Sequence, residues 1–166
     1  MDAPRGPTVL VVDGHPDTAE STADLCRLLG SPARYALAGE DALRLAADDP
    51  PDVILLEIRL PDLDGCELAR RLALAPGKPP LLIAVTTAAA DRDRARTAAA
   101  GFHLHLVKPV HPGILAGLLR RWGRACRGSY LVGSCCGSGT DGGYGQKVAR
   151  VCQENTFSAR AVPAGG

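Results

Sequence analysis

Four polar side chains stand directly at the ends of short apolar runs. Asp13 follows Thr8–Val12, Glu57 closes Val53–Glu57, Thr86 follows Leu81–Val85, and Lys108 follows Leu104–Val107. One acid in such a place is ordinarily a turn or helix-capping residue. Two carboxylates, a hydroxyl and an ammonium at the ends of four different runs are complementary in charge and can hold a charged ligand between them. Other chemistries find less support. The loop Asp13-Gly14-His15-Pro16-Asp17 has neither a G-x-G-x-x-G pattern nor a P-loop, and no Ser–His or Cys–His arrangement stands out. His15 could join Asp13 and Glu57 on a transition metal, but a lone loop histidine is by default a solvent-facing one. His103 and His111 are expected at the surface. Asp62 and Asp64, in Leu-Pro-Asp-Leu-Asp-Gly65, suit a turn that leads into a helix cap rather than a second reactive acid, and Asp52 suits a turn at the opposite strand end.

These side chains need a scaffold that brings strand ends together. The apolar runs Thr8–Val12, Arg34–Ala38, Val53–Glu57, Leu81–Val85 and Leu104–Val107 read as buried strands. Between and after them lie helical stretches: Pro16–Leu29, stopped by Gly30-Ser31-Pro32; Glu40–Ala47; Gly65–Ala75; Asp91–Ala100, stopped by Gly101; and Pro112–Arg124, with Ile114, Leu115, Leu118, Leu119 and Trp122 on one stripe. Strict alternation of strand and helix predicts an α/β domain, a parallel sheet covered on both faces. Ligands of such sheets gather outside the carboxyl ends of the strands, where the four polar residues stand.

The chain of 166 residues carries 19 Lys and Arg against 18 Asp and Glu, a formal charge of +1. That balance gives no electrostatic footprint for nucleic acid or for an acidic membrane. No apolar run approaches the roughly 20 residues of a membrane helix, and no secretory signal is visible at the start, so a cytoplasmic location without membrane contact is expected. None of the six cysteines forms a C-x-x-C or zinc-finger spacing. Cys26 and Cys66 fall in helix-like segments and read as small, reduced hydrophobes; Cys135, Cys136 and Cys152 do not make a convincing metal set. Nine of the 19 glycines fall in residues 125–166. This Gly/Ser-rich part is expected to be a disordered tail, with Lys147–Glu154 as one helical turn or a short strand, and the domain is expected over residues 1–124, with a charge of −1. Arg outnumbers Lys 16 to 3 and Asp outnumbers Glu 13 to 5. An unforced base here is Arg and an unforced acid is Asp, which singles out Lys108 and Glu57.

The stretches Val9-Leu-Val-Val-Asp13, Pro51-Asp-Val-Ile-Leu-Leu-Glu-Ile-Arg-Leu-Pro-Asp-Leu-Asp-Gly65, Thr86, and Ala100-Gly-Phe-His-Leu-His-Leu-Val-Lys-Pro109 closely resemble, in order and spacing, the receiver domain of bacterial two-component response regulators. The resemblance covers about residues 8–122. It implies a flavodoxin-like (βα)5 three-layer sandwich with strand order 2-1-3-4-5, and a non-enzymatic module of phosphorelay signal transduction. In that family two acids after strand one hold Mg²⁺, an Asp ending strand three takes a phosphoryl group from a histidine kinase, and a Thr or Ser and a Lys contact that group. By this resemblance Asp13 is the first metal acid, Arg59 the residue offering a backbone carbonyl to the metal, Thr86 and Lys108 the phosphoryl contacts, and His105 the switch position on strand five. The partner would be a histidine kinase or another signalling protein. The face formed by helix four, strand five and helix five, residues 91–122, would serve protein contacts, including a homodimer, with Arg92, Arg94 and Arg96 as its charged part.

Three residues depart from the family pattern. Gly14 replaces the second metal acid, and Mg²⁺ wants oxygen ligands at about 2.1 Å, so metal binding is expected to be weak or lost. Glu57 replaces the phospho-acceptor Asp, and its carboxylate reaches more than an ångström further than in-line transfer tolerates. His105 stands where the family has an aromatic switch. The expectation is an atypical receiver that acts by protein–protein interaction, with Glu57 either imitating the phosphorylated state through its reach toward Lys108 and Thr86 or marking an inert site. The alternatives are a conventional receiver that accepts phosphate despite Glu57, and a small flavodoxin-like nucleotide-binding enzyme.

Overall fold

The structure, a computed structural model, describes residues 6–87 and 91–127. The segment expected as a tail beyond 127, with Lys147–Glu154 and the last four cysteines except for the backbone at Cys126, lies outside the described residues. Five strands, β1 (Val9–Val12), β2 (Ala33–Ala36), β3 (Val53–Leu56), β4 (Leu81–Thr86) and β5 (Leu104–Val107), alternate with α1 (Pro16–Leu28), α2 (Gly39–Asp48), α3 (Gly65–Ala73), α4 (Asp91–Ala99) and α5 (Pro112–Arg127). The strands form one parallel sheet in the order β2-β1-β3-β4-β5, the flavodoxin-like arrangement.

Every residue of β1, β3 and β4 is buried, because helices cover both sheet faces and alternate side chains feed two separate cores. Val9, Val11, Leu55 and Ile83 meet Leu118 and Trp122 of α5 on one face. Leu10, Ile54, Leu56 and Leu82 meet Leu68 and Leu72 of α3 on the other. Cys26 and Cys66 are buried free thiols, and burial pushes the Cys26 thiol up to about 11, as for an inert packing residue.

The element ends have local causes. Pro16 opens α1, and Gly30 follows its end at φ +84°. β2 stops at Ala36 rather than Ala38, because Ala38 is already the extended N-cap of α2. α5 runs to Arg127, past the domain limit expected at 124. The first residues expected in the tail, 125–127, therefore belong to the helix. At the lower end of the sheet, Asp52 does more than turn the chain. Its Oδ2 accepts the Thr8 N–H at 3.0 Å and the Thr8 hydroxyl at 3.1 Å, and its Oδ1 meets Lys78 Nζ at 3.1 Å.

Candidate functional site

Parallel strands in register carry their last residues to one rim. Asp13 follows β1, and its N–H donates to Ala36 O. Glu57 follows β3, held there by its N–H on Val12 O at 2.8 Å. Thr86 ends β4 and Lys108 follows β5, with the Lys108 N–H on Thr86 O at 2.9 Å. Asp13, Glu57 and Thr86 are all buried.

The rim residues meet as charges. The Lys108 ammonium donates to Asp13 Oδ2 and lies 2.9 Å from Glu57 Oε2. Burial alone would lower the pKa of this lysine, but hydrogen bonds and charge from Asp13 and Glu57 outweigh it and raise the ammonium above its usual value. The remaining carboxylate oxygens are turned onto backbone. Asp13 Oδ1 accepts the His15 N–H at 2.9 Å. Glu57 Oε1 accepts the N–H of Ile58 at 2.8 Å and that of Arg59 at 3.3 Å. All four oxygens thus have a donor, and one ammonium serves two buried carboxylates. Thr86 stands on the neighbouring strand end.

Gly14 is half-buried, and a Cβ built there would come within 3.0 Å of Pro61 Cδ. A side chain at this position would press on the loop after β3. His15 is exposed, with Nδ1 3.4 Å from Asp13 Oδ1. The transition-metal site considered for Asp13, His15 and Glu57 does not form: among the described residues no three His, Cys, Asp or Glu are grouped to hold a metal. Their oxygens are turned onto Lys108 and backbone N–H groups instead.

The loop from Glu57 to Gly65 fixes more than the rim. Asp64 caps α3 by accepting the Cys66 N–H at 2.9 Å, and it pairs with Arg96 of α4. Asp62 caps a different helix. Its two oxygens accept the N–H groups of Gly39 at 2.8 Å and Glu40 at 3.1 Å, at the start of α2, whose own N-cap Ala38 has no side-chain acceptor. A cap supplied from a distant loop leaves no local sequence signal, which is why Asp62 reads as part of its own turn. Gly65 is required where it stands: a Cβ there would lie 2.7 Å from Glu57 O and from Ile58 Cα.

The histidines differ in role. His105 is half-buried on β5, with Nδ1 3.2 Å from the hydroxyl of buried Thr97 on α4. His103, expected at the surface, is instead half-buried. Its Nδ1 accepts the Leu82 N–H at 2.9 Å while its own N–H donates to Leu82 O at 2.9 Å. The ring extends the β4–β5 ladder by one acceptor, and burial holds the imidazole below its usual pKa. His111 is exposed, as expected. Arg96, expected on an open charged face, is engaged by Asp64; the side chains of Arg92 and Arg94 lie outside the described residues.

Comparison with known proteins agrees with this architecture. The model of the response regulator receiver domain matches residues 9–120. The transcriptional regulatory protein PrrA of Mycobacterium tuberculosis is 36% identical over 115 residues, which is 69% of this chain but 48% of PrrA. The chain therefore spans about half the length of that relative. An uncharacterized 14.6 kDa protein of Leptolyngbya boryana is 31% identical over 69% of this chain and 88% of its own length. The receiver domain of a sensor histidine kinase of Pseudomonas aeruginosa PAO1, described with a magnesium ion in its active-site cleft, superimposes with a TM-score of 0.64 at 31% identity, covering 70% of this chain and 97% of that domain. No helix among the described residues is long and apolar enough to cross a membrane. The parallel sheet, the rim of Asp13, Thr86 and Lys108, and the family match together establish that this chain belongs to the response regulator receiver domains of two-component signalling.

Proposed function

We propose that this receiver works without phosphoryl transfer, as a protein-binding signalling module in which Glu57 holds Lys108 permanently. The observation that carries this reading is the ion triad itself. In the family, by the resemblance above, the lysine contacts a transferred phosphoryl group; here its ammonium is taken by the carboxylates of Glu57 and Asp13. A fixed carboxylate supplies one negative charge where a phosphoryl group brings nearly two.

The residues present do not fit Mg²⁺. Gly14 offers no side-chain oxygen, and every oxygen of both carboxylates already has a donor, so a dication would have to compete with Lys108 for them. His105, bonded to Thr97, is the group through which the rim strand communicates with α4, and the face of α4, β5 and α5 is the surface for a histidine kinase, another signalling protein or a second copy. PrrA is a transcriptional regulator, and this chain covers about half of it; the absence of a nucleic-acid partner is thus proposed only for residues 1–166, on their near-neutral charge.

Incubating the protein with a small phosphodonor and Mg²⁺ and measuring its intact mass tests the first part. No adduct is expected, and a metal-dependent phosphate adduct would restore the conventional reading. The Glu57→Gln variant tests the second part. Loss of the Lys108 pair should shift the amide resonances of His105 and Thr97. Changes confined to the immediate neighbours of residue 57 would leave an inert scaffold instead.

A further inference from the structure

A cavity of about 420 Å³ opens between α1 and the start of α5, just beneath the rim. Thr18, Thr22 and Leu25 of α1, Leu55 and Leu106 of the sheet, and Leu115 of α5 are among its walls, with Lys108 and Pro109 at its upper edge. Its size lies in the roughly 300–1,000 Å³ range of occupied pockets, and its walls are mainly apolar with threonine hydroxyls among them. We propose that its occupant is a segment of this same chain, Gln146–Cys152, folded back as a short helical stretch. This inference does not depend on how Glu57 is read.

Three features select that segment. The first is reach. α5 starts beside the cavity and carries the chain about 24 Å away to Arg127, at 1.5 Å per residue. Residues 128–145 are Gly/Ser-rich in sequence, and the general scaling for Gly/Ser-rich chains gives 18 such residues a root-mean-square span of about 23 Å. A linker whose span matches the distance gives the highest effective concentration of the returning segment. The second is pattern. In Gln-Lys-Val-Ala-Arg-Val-Cys, residues Val148, Val151 and Cys152 share one helical face, and Lys147 and Arg150 flank it on one side. The third is charge. On α1, Thr18, Thr22 and Leu25 face the cavity, while Asp17 and Asp24 form the next, exposed line outward, Asp24 shared with Arg27 of the same helix at 2.5 Å. The half of α5 beside the cavity, Pro112–Leu119, has no charged side chain, whereas Arg120, Arg121, Arg124 and Arg127 follow it. A dibasic segment is therefore repelled from the far half of the groove and attracted to the half that holds the cavity.

The test uses the full chain. In Val148→Asp/Val151→Asp, the amide resonances of Thr18, Thr22, Leu25, Val110 and Leu115 should move, and their amides should exchange several-fold faster than in the parent. Shifts confined to residues near 148 and 151 would overturn the proposal. So would shifts that appear only as protein concentration rises, because the segment would then be docking on a second copy. Asp17→Lys/Asp24→Lys should reproduce the undocked spectrum, and adding Lys147→Glu/Arg150→Glu should restore the docked one. Failure to restore it would remove the charge argument and with it the assignment of this segment.

Discussion

At the scale of single residues, the rim rests on one lysine. Lys108→Met leaves Asp13 and Glu57 buried side by side without a cation, and removing one partner of a buried ion pair costs about 3 kcal/mol. Urea unfolding at pH 7 should show that loss. The pH profile of the parent protein follows from the direction of each shift. His103 lies below its usual 6.5 when folded, so its contribution is present above 6.5 and is lost as pH falls from there through the lower folded value. Asp52 and Asp64 are held below 3.8, and their contribution disappears as pH falls further. Lys108 is raised above 10.5, so its contribution is complete below 10.5 and lost as pH climbs through the folded value. The buried Cys26 thiol, raised from 9.0 to about 11 in the fold, adds a contribution that starts to be lost as pH climbs above 9.0. Thermal melts across pH should therefore show a plateau between about 6.5 and 9; a midpoint that rises as pH falls from 6.5 to 5 would contradict the role given to His103. Of these residues, Asp13, Glu57 and Lys108 are legible in sequence because strand ends announce themselves by an apolar run that stops. His103 is not legible, because an imidazole that replaces a backbone acceptor leaves no trace in residue pattern.

At the scale of elements, the loop after β3 ties the rim to three helices. Asp62→Ala should uncap α2 and cost about 1 kcal/mol, seen as faster amide exchange at Gly39 and Glu40 with α3 unaffected. Gly65→Ala should cost about 1–3 kcal/mol by overpacking, since its methyl group would press on the backbone of Glu57 and Ile58, and it should also shift the resonances of Lys108. Helix and strand positions were readable because Pro16, Gly30 and Gly101 mark their ends and because the apolar runs are short. What the sequence concealed is the traffic between elements. Asp62 serves α2 across a separation of 23 residues, and Asp64 reaches Arg96 across 32; no local rule connects positions so far apart.

At the scale of the whole molecule, the sheet separates two cores that share only backbone. Ile54 belongs to the α3 side and Leu118 to the α5 side. Ile54→Val should cost about 1 kcal/mol and Leu118→Ala about 2–5 kcal/mol, and the double variant should equal their sum to within about 0.5 kcal/mol. A larger discrepancy in urea unfolding would mean that the sheet transmits packing strain between its faces. The fold class was readable from alternation alone, whereas the strand order came from the family resemblance, since the period of a sequence says which segments are strands but not which of them are neighbours. The same loop that joins Glu57 to Gly65 also governs how the chain can be cut and rejoined. New termini opened among Pro76–Pro79, an exposed stretch, should leave a circular permutant that folds. New termini opened between Leu60 and Leu63 would release the caps of α2 and α3 and the rim carboxylate together, so that permutant should not assemble.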